Sequence, residues 1–232
     1  MHARLRWLEL VLAMIVLAAC ALPTSLDAAG TLSYLALGDS YTIGEGVAAS
    51  ERWPLQLARQ LRSEHIPLAD PRIIATTGWT TGELDAAIDA ARPLGRHDFV
   101  SLLIGVNDQY RGRPVDDYRH AFESLLERAI GFAGGRANRV MVLSIPDWGV
   151  TRFGRESGRD AAQIARELDA YNAAARAICD ARGVAFVDIT AASRQHGAEA
   201  GMLTDDGLHP STAMYALWTH AALPVARRQL TQ

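Results

Sequence analysis

Apolar and polar positions alternate between two periods along this chain. Short runs dominated by apolar residues, at Leu32–Leu37, Arg72–Ala75, Asp98–Ile104, Arg139–Ile145 and Val184–Ile189, read as five buried strands. Between them, apolar residues recur three and four apart and predict amphipathic helices. Trp53, Leu57 and Leu61 mark one over Trp53–Glu64, and Tyr118, Phe122, Leu125 and Ala129 mark another over Val115–Phe132. Ile164, Leu168, Tyr171, Ala175 and Ile178 mark a third over Asp160–Arg182. Further helices are expected from Thr80 to about Ala91, where Thr80-Thr81-Gly82-Glu83 fits a capping box, and over Thr212–Arg228. Pro146–Gly158 and the segment before Thr204 read as loops. Strand and helix alternate with connections long enough for parallel crossovers. The pattern therefore predicts an α/β fold: a three-layer α/β/α sandwich around a five-stranded parallel sheet, in one domain over residues 31–232. The expected strand order is 2-1-3-4-5, which the sequence pattern does not itself fix.

Chemistry gathers where the predicted strands end. The first runs into Gly38-Asp39-Ser40, the second into Thr76-Thr77-Gly78, and the third into Gly105-Val106-Asn107-Asp108. In an open α/β sheet the carboxyl edge is where ligands bind. A serine there is a nucleophile if a base and an anion-stabilising pocket reach it. Ser40 and Asp39 are equally good helix caps, Asn107-Asp108 fits an ordinary turn, and Gly78 fits a positive φ. Near the C-terminus, Asp206 and His209 precede the last predicted helix.

The first residues change the picture of where the domain begins. A short basic leader, with Arg4 and Arg6, is followed by the uninterrupted apolar run Leu10–Ala19, about half of the ~20 residues a spanning helix needs. Residues 1–19 read as a signal peptide. Leu17-Ala18-Ala19-Cys20 resembles a bacterial lipobox, which implies lipidation of Cys20 as the mature N-terminus and anchoring in the bacterial envelope. The same small residues suit ordinary signal cleavage and release to the periplasm or medium. Residues 20–30 then read as a tether. Cys179 is the second of only two cysteines and falls on the apolar stripe of a helix, as a core residue.

Composition mainly excludes. A formal net charge of −3 with no basic run argues against a nucleic-acid partner. All 23 basic residues are Arg, which excludes a lysine Schiff base and a P-loop lysine.

Gly38-Asp39-Ser40, the isolated Gly78, Gly105-x-Asn107-Asp108 and Asp206-x-x-His209 together resemble the four blocks of the SGNH (GDSL) hydrolases, in the same order and at comparable spacing. The resemblance implies a flavodoxin-like SGNH hydrolase fold and an acyl-ester hydrolase, esterase or lipase-like, with no metal and no cofactor. Ser40 would be the nucleophile, His209 the general base and Asp206 its orienter. The Ser40 and Gly78 N–H groups and the Asn107 side chain would form the oxyanion hole. These roles suit the residue types. A serine hydroxyl needs a base during attack, imidazole has a suitable pKa, and a carboxylate three residues away can hold the ring. Gly-x-Ser-x-Gly is absent around Ser40, unlike the nucleophile elbow of standard α/β-hydrolases.

Asp39 and Asp108 are expected to fix loop geometry. Trp79, Trp148 and the loop Pro146–Gly158 are candidates for an acyl pocket and specificity. The substrate is expected to be a small-molecule or polysaccharide ester, and carbohydrate O-deacetylation uses the same machinery. A metal-dependent phosphoesterase using Asp39, Asp108, Asp206 and His209, and a non-catalytic envelope-binding lipoprotein, are the readings from other classes.

Overall fold

The computed structural model describes residues 30–232. The signal peptide, Cys20 and all of the tether but Gly30 lie outside the described residues. Five parallel strands, β1 (Tyr34–Gly38), β2 (Arg72–Ala75), β3 (Phe99–Leu103), β4 (Val140–Leu143) and β5 (Ala185–Val187), form one sheet in the order β2-β1-β3-β4-β5. This is the expected order. β1, β3 and β4 are buried along their whole length, as continuous apolar strands covered on both faces must be. The one hydroxyl in β3, on Ser101, hydrogen bonds to Tyr34 at 2.9 Å and is thereby satisfied.

Nine α-helices accompany the sheet among the described residues: α1 (Ser40–Ile43), α2 (Trp53–Ser63), α3 (Thr81–Ala90), α4 (Val106–Tyr110), α5 (Val115–Phe132), α6 (Arg152–Glu156), α7 (Ala161–Arg182), α8 (Thr190–His196) and α9 (Thr212–Thr231). α2 packs on α9, and α5 packs on both α3 and α7, giving the two outer layers of the sandwich. The ends are capped as their residues dictate. Glu83 accepts from the Thr80 N–H at 2.8 Å, completing the capping box, and Gly183 closes α7 at φ 66°. Cys179 is fully buried in α7, where burial pushes its thiol pKa up to about 12.

Four elements depart from the expected loops and ends. α1 and α4 occupy the strand-end loops, α6 lies inside Pro146–Gly158, and α8 fills part of the segment before Thr204. The last helix also continues three residues beyond Arg228. All four added helices are too short to show a helical period in sequence.

Candidate active site

Register brings three loops to one place. Gly38 lies opposite Ala75 on one side and Leu103 on the other, so β1, β2 and β3 end level. Ser40, Gly78 and Asn107 follow those ends by two, three and four residues. The first turn is drawn in tightly. A Cβ on Gly38 would collide with the Thr42 side chain and stand 2.5 Å from the Leu103 carbonyl, which explains glycine there. Asp39 caps α1, accepting from the Tyr41 N–H at 3.0 Å, and leaves Ser40 as the first residue of the turn. An N–H at that position has no acceptor within its own helix and is free for a ligand.

Gly78 has φ 85°, a conformation that side-chain-bearing residues rarely adopt. A Cβ there would meet no protein atom within 4 Å, so the backbone conformation requires glycine rather than crowding by neighbouring protein atoms. Asn107 lies in the first turn of α4, not in an open turn, and its Nδ2 donates to the Trp79 carbonyl at 2.9 Å. Asp108 ties the second and third loops together. It accepts from the Thr81 N–H at 2.9 Å and the Thr81 hydroxyl at 2.8 Å, and pairs with Arg113 at 3.2 Å. Asp39 and Asp108 thus bind loop backbone, as expected. Burial raises both carboxyls, Asp39 to about 8 despite its bond from Tyr41, and the nearby Asp108 charge adds to that rise.

The fourth loop is closed as a narrow turn. Leu203 bridges Pro210 antiparallel, and the Thr204 N–H donates to the His209 carbonyl at 2.8 Å. This places Asp206 and His209 on one tip. Oδ2 of Asp206 lies 2.5 Å from Nδ1 of His209, while Oδ1 accepts from the Leu208 and His209 N–H groups and the Thr204 hydroxyl at 2.8, 3.0 and 2.8 Å. Partial burial raises the Asp206 pKa, but the bonds from the His209 ring, both N–H groups and Thr204 outweigh it, leaving the carboxyl well below its usual range. Tyr41, beside Ser40, packs edge-on against the His209 ring with centroids 5.8 Å apart.

Ser40, Gly78, Asn107 and His209 all line one cavity of about 180 Å³. Tyr41, Val106, Tyr110, Trp148, Phe153 and Leu208 form its apolar wall. Trp148 is held there by its indole N–H, which donates to Gln109 at 2.8 Å, and by the Arg159 guanidinium over its ring at 5.1 Å. Trp79 is not on that wall; it packs against the core and contributes its carbonyl to Asn107. Tyr110 and Leu208 are wall residues that the sequence reading missed. Both stand beside a recognised block, which was the available signal. Among the described residues, no group of three or more His, Cys, Asp or Glu is arranged to hold a metal ion. Asp39, Asp108, Asp206 and His209 are instead engaged with separate local partners.

Several solved structures share the fold. TesA superposes with a TM-score of 0.67 at 19% identity over 85% of this chain and 99% of its own. The psychrotrophic esterase EstA from Pseudoalteromonas sp. gives 0.63 at 17% identity over 87% and 100%. The acetylxylan esterase Axe2 from Geobacillus stearothermophilus gives 0.64 at 20% identity over 87% and 94%. A sequence comparison with curated proteins finds no significant match. Residues 36–217, most of the chain, match the family described as GDSL-like lipase/acylhydrolase, and the chain therefore belongs to that family and is an ester hydrolase of its type.

Proposed function

We propose that the chain is a serine-dependent hydrolase of short-chain acyl esters, with Ser40 as nucleophile, His209 as general base and Asp206 as its orienter. The observation that carries this reading is the 2.5 Å Asp206–His209 contact at the rim of a cavity that Ser40 also lines. Asp206 accepting at Nδ1 leaves Nε2 of His209 as the atom for the serine proton. Attack by Ser40 Oγ on the ester carbonyl gives a tetrahedral oxyanion. The N–H groups of Ser40 and Gly78 and the Asn107 amide are its donors. His209 then passes the proton to the leaving alcohol, and water repeats the sequence on the acyl-enzyme.

Cavity size supports a short acyl chain. About 180 Å³ falls below the ~300–1,000 Å³ of pockets that enclose drug-sized ligands, and suits an acetyl to butyryl group. One further feature favours a sugar ester, and with it carbohydrate O-deacetylation. Tyr110, at 48% exposure, is the single large hydrophobic side chain exposed among the described residues, and it stands at this cavity. A half-exposed aromatic side chain at the cavity mouth offers apolar surface against which a pyranose ring can pack. The leader and Cys20 support export and lipid anchoring, which labelled fatty acid would report through incorporation lost in Cys20→Ser.

The test is hydrolysis of p-nitrophenyl esters from acetyl to palmitoyl, with Ser40→Ala and His209→Ala alongside and a chelator present or absent. Chelator-resistant activity, highest on acetyl to butyryl esters and lost in both variants, is expected. Activity indifferent to Ser40 would overturn the mechanism. Release of acetate from acetylated xylan separates the deacetylase reading from a general esterase.

A further inference from the structure

Arg111 caps the C-terminal end of α4 and reaches the loop that carries Gly78. Its Nη2 donates to the Gly78 carbonyl at 2.7 Å, while Nη1 donates to Glu83 Oε1 at 3.3 Å and pairs with Oε2 at 3.2 Å. Glu83 is itself fixed, because its carboxylate accepts the Thr80 N–H and hydroxyl, both at 2.8 Å. One helical turn earlier on the same face, Asn107 donates to the next carbonyl, that of Trp79. The Trp79 N–H in turn donates to the Thr76 carbonyl at 3.3 Å. The peptide unit joining Gly78 to Trp79 is therefore held at its oxygen by Arg111 and at its N–H by Thr76.

We propose that Arg111 is a positioning residue for the oxyanion site. By holding the Gly78–Trp79 peptide, it restrains the Gly78 torsions through which the preceding Thr77–Gly78 peptide, and with it the Gly78 N–H, would otherwise swing. The inference rests on the reading of Gly78 and Asn107 as oxyanion donors. Glycine makes such an anchor necessary. At φ 85°, with open space around its α-carbon, residue 78 has no side chain to restrict it. A donor must be held within about 0.5 Å of its productive position to stabilise the transition state. Arg111 does not line the cavity, so it acts through Gly78 rather than on substrate. Its side chain is 45% exposed, so replacing it leaves the core intact.

The experiment compares Arg111→Met, Arg111→Lys and Asn107→Ala in the full chain, by steady-state hydrolysis of p-nitrophenyl acetate. Loss of a whole oxyanion donor costs about 10²–10³ in turnover, and misaiming one is expected to cost Arg111→Met about tenfold in kcat with KM within about twofold. Arg111→Lys should recover most of that loss, since one ammonium donor suffices for the Gly78 carbonyl. A KM rise at unchanged kcat would put Arg111 on the substrate and overturn the proposal. Unchanged kcat in Arg111→Met, with Asn107→Ala strongly impaired, would overturn the role of Arg111 alone. Unchanged kcat in Asn107→Ala would remove the oxyanion reading and the proposal with it.

Discussion

Asp206 grips His209 at two points: one carboxylate oxygen takes the ring Nδ1 at 2.5 Å, and the other takes the backbone N–H at 3.0 Å. Orientation of the imidazole is thus built into a four-residue turn, without a partner from another element. From the Ser40 side, Tyr41 packs edge-on against the ring at 5.8 Å.

Asp206→Asn should therefore preserve the turn while spoiling the tautomer. An amide retains a carbonyl oxygen for the Leu208 and His209 N–H groups, but its NH₂ can turn towards Nδ1 and draw the ring proton to Nε2. Turnover on p-nitrophenyl acetate should fall about 10³–10⁴-fold. The far-ultraviolet circular dichroism should be unchanged. A variant within tenfold of the parent would remove Asp206 from the mechanism.

Asp39 makes stability depend on pH in an unusual direction. Its carboxyl is fully buried, Oδ2 has no hydrogen-bond partner among the described residues, and burial lifts its pKa from the ordinary 3.8 to about 8. Between those values the folded chain keeps a proton that the unfolded chain has released, so this group's contribution to stability falls as pH rises from about 4 to about 8. The slope per proton is at most about 1.4 kcal/mol per pH unit. Asp39→Asn keeps a capping oxygen for Tyr41 but cannot ionise. Urea unfolding at pH 5 and pH 7.5 should show the variant gaining on the parent at the higher pH. A constant difference would mean that Asp39 titrates normally.

Trp148 bounds the small cavity and is 2% exposed. Trp148→Ala should open the wall between Tyr110 and Phe153, each within about 6 Å of the indole by centroid at 5.3 and 6.0 Å. We expect the preference among p-nitrophenyl esters to move from acetyl towards hexanoyl or octanoyl, with a stability loss of about 3–5 kcal/mol. An unchanged chain-length profile would place the acyl group elsewhere.

The two tryptophans show where sequence reading succeeds and where it stops. Five strands were legible because each is a short apolar run between helical stretches, whereas their order in the sheet matched an expectation that the run of apolar positions does not itself determine. The capping box at Thr80 was legible because it is a local exchange of hydrogen bonds. Trp79 and Trp148 both follow strand ends, yet only Trp148 faces the cavity. An irregular loop has no period from which side-chain direction can be read. α4, α6 and α8 were missed for a related reason. A helix of five to seven residues is too short to stand by propensity. Tertiary bonds hold them, such as Gln109 to Trp148 at 2.8 Å and Asn172 to Thr190 at 3.1 Å. The Asp206–His209 pair was accessible because both residues sit on one turn, whereas Arg111 meets Gly78 across 33 positions of sequence.

Arg194 tests whether the wall can be loosened from behind. Asp147 is buried before the Trp148 turn, capping it through the Gly149 N–H at 2.9 Å, and its other oxygen takes Arg194 Nε at 2.8 Å. Arg194 also binds Asp169 at 2.8 Å. Arg194→Met would keep the aliphatic stem but leave the Asp147 carboxylate without its cation. Because the Arg194 side chain is 37% exposed, the loss should be about 1–3 kcal/mol, below the ~3–5 kcal/mol for breaking a fully buried pair. The Trp148 turn, freed at its cap, should accept longer acyl groups without any change in the residues that line the cavity. Thermal unfolding and the ester panel read the two effects together. A lower Tm with an unchanged panel would confine Arg194 to stability, while no change in either would mean that Asp147 is held by its backbone bonds alone.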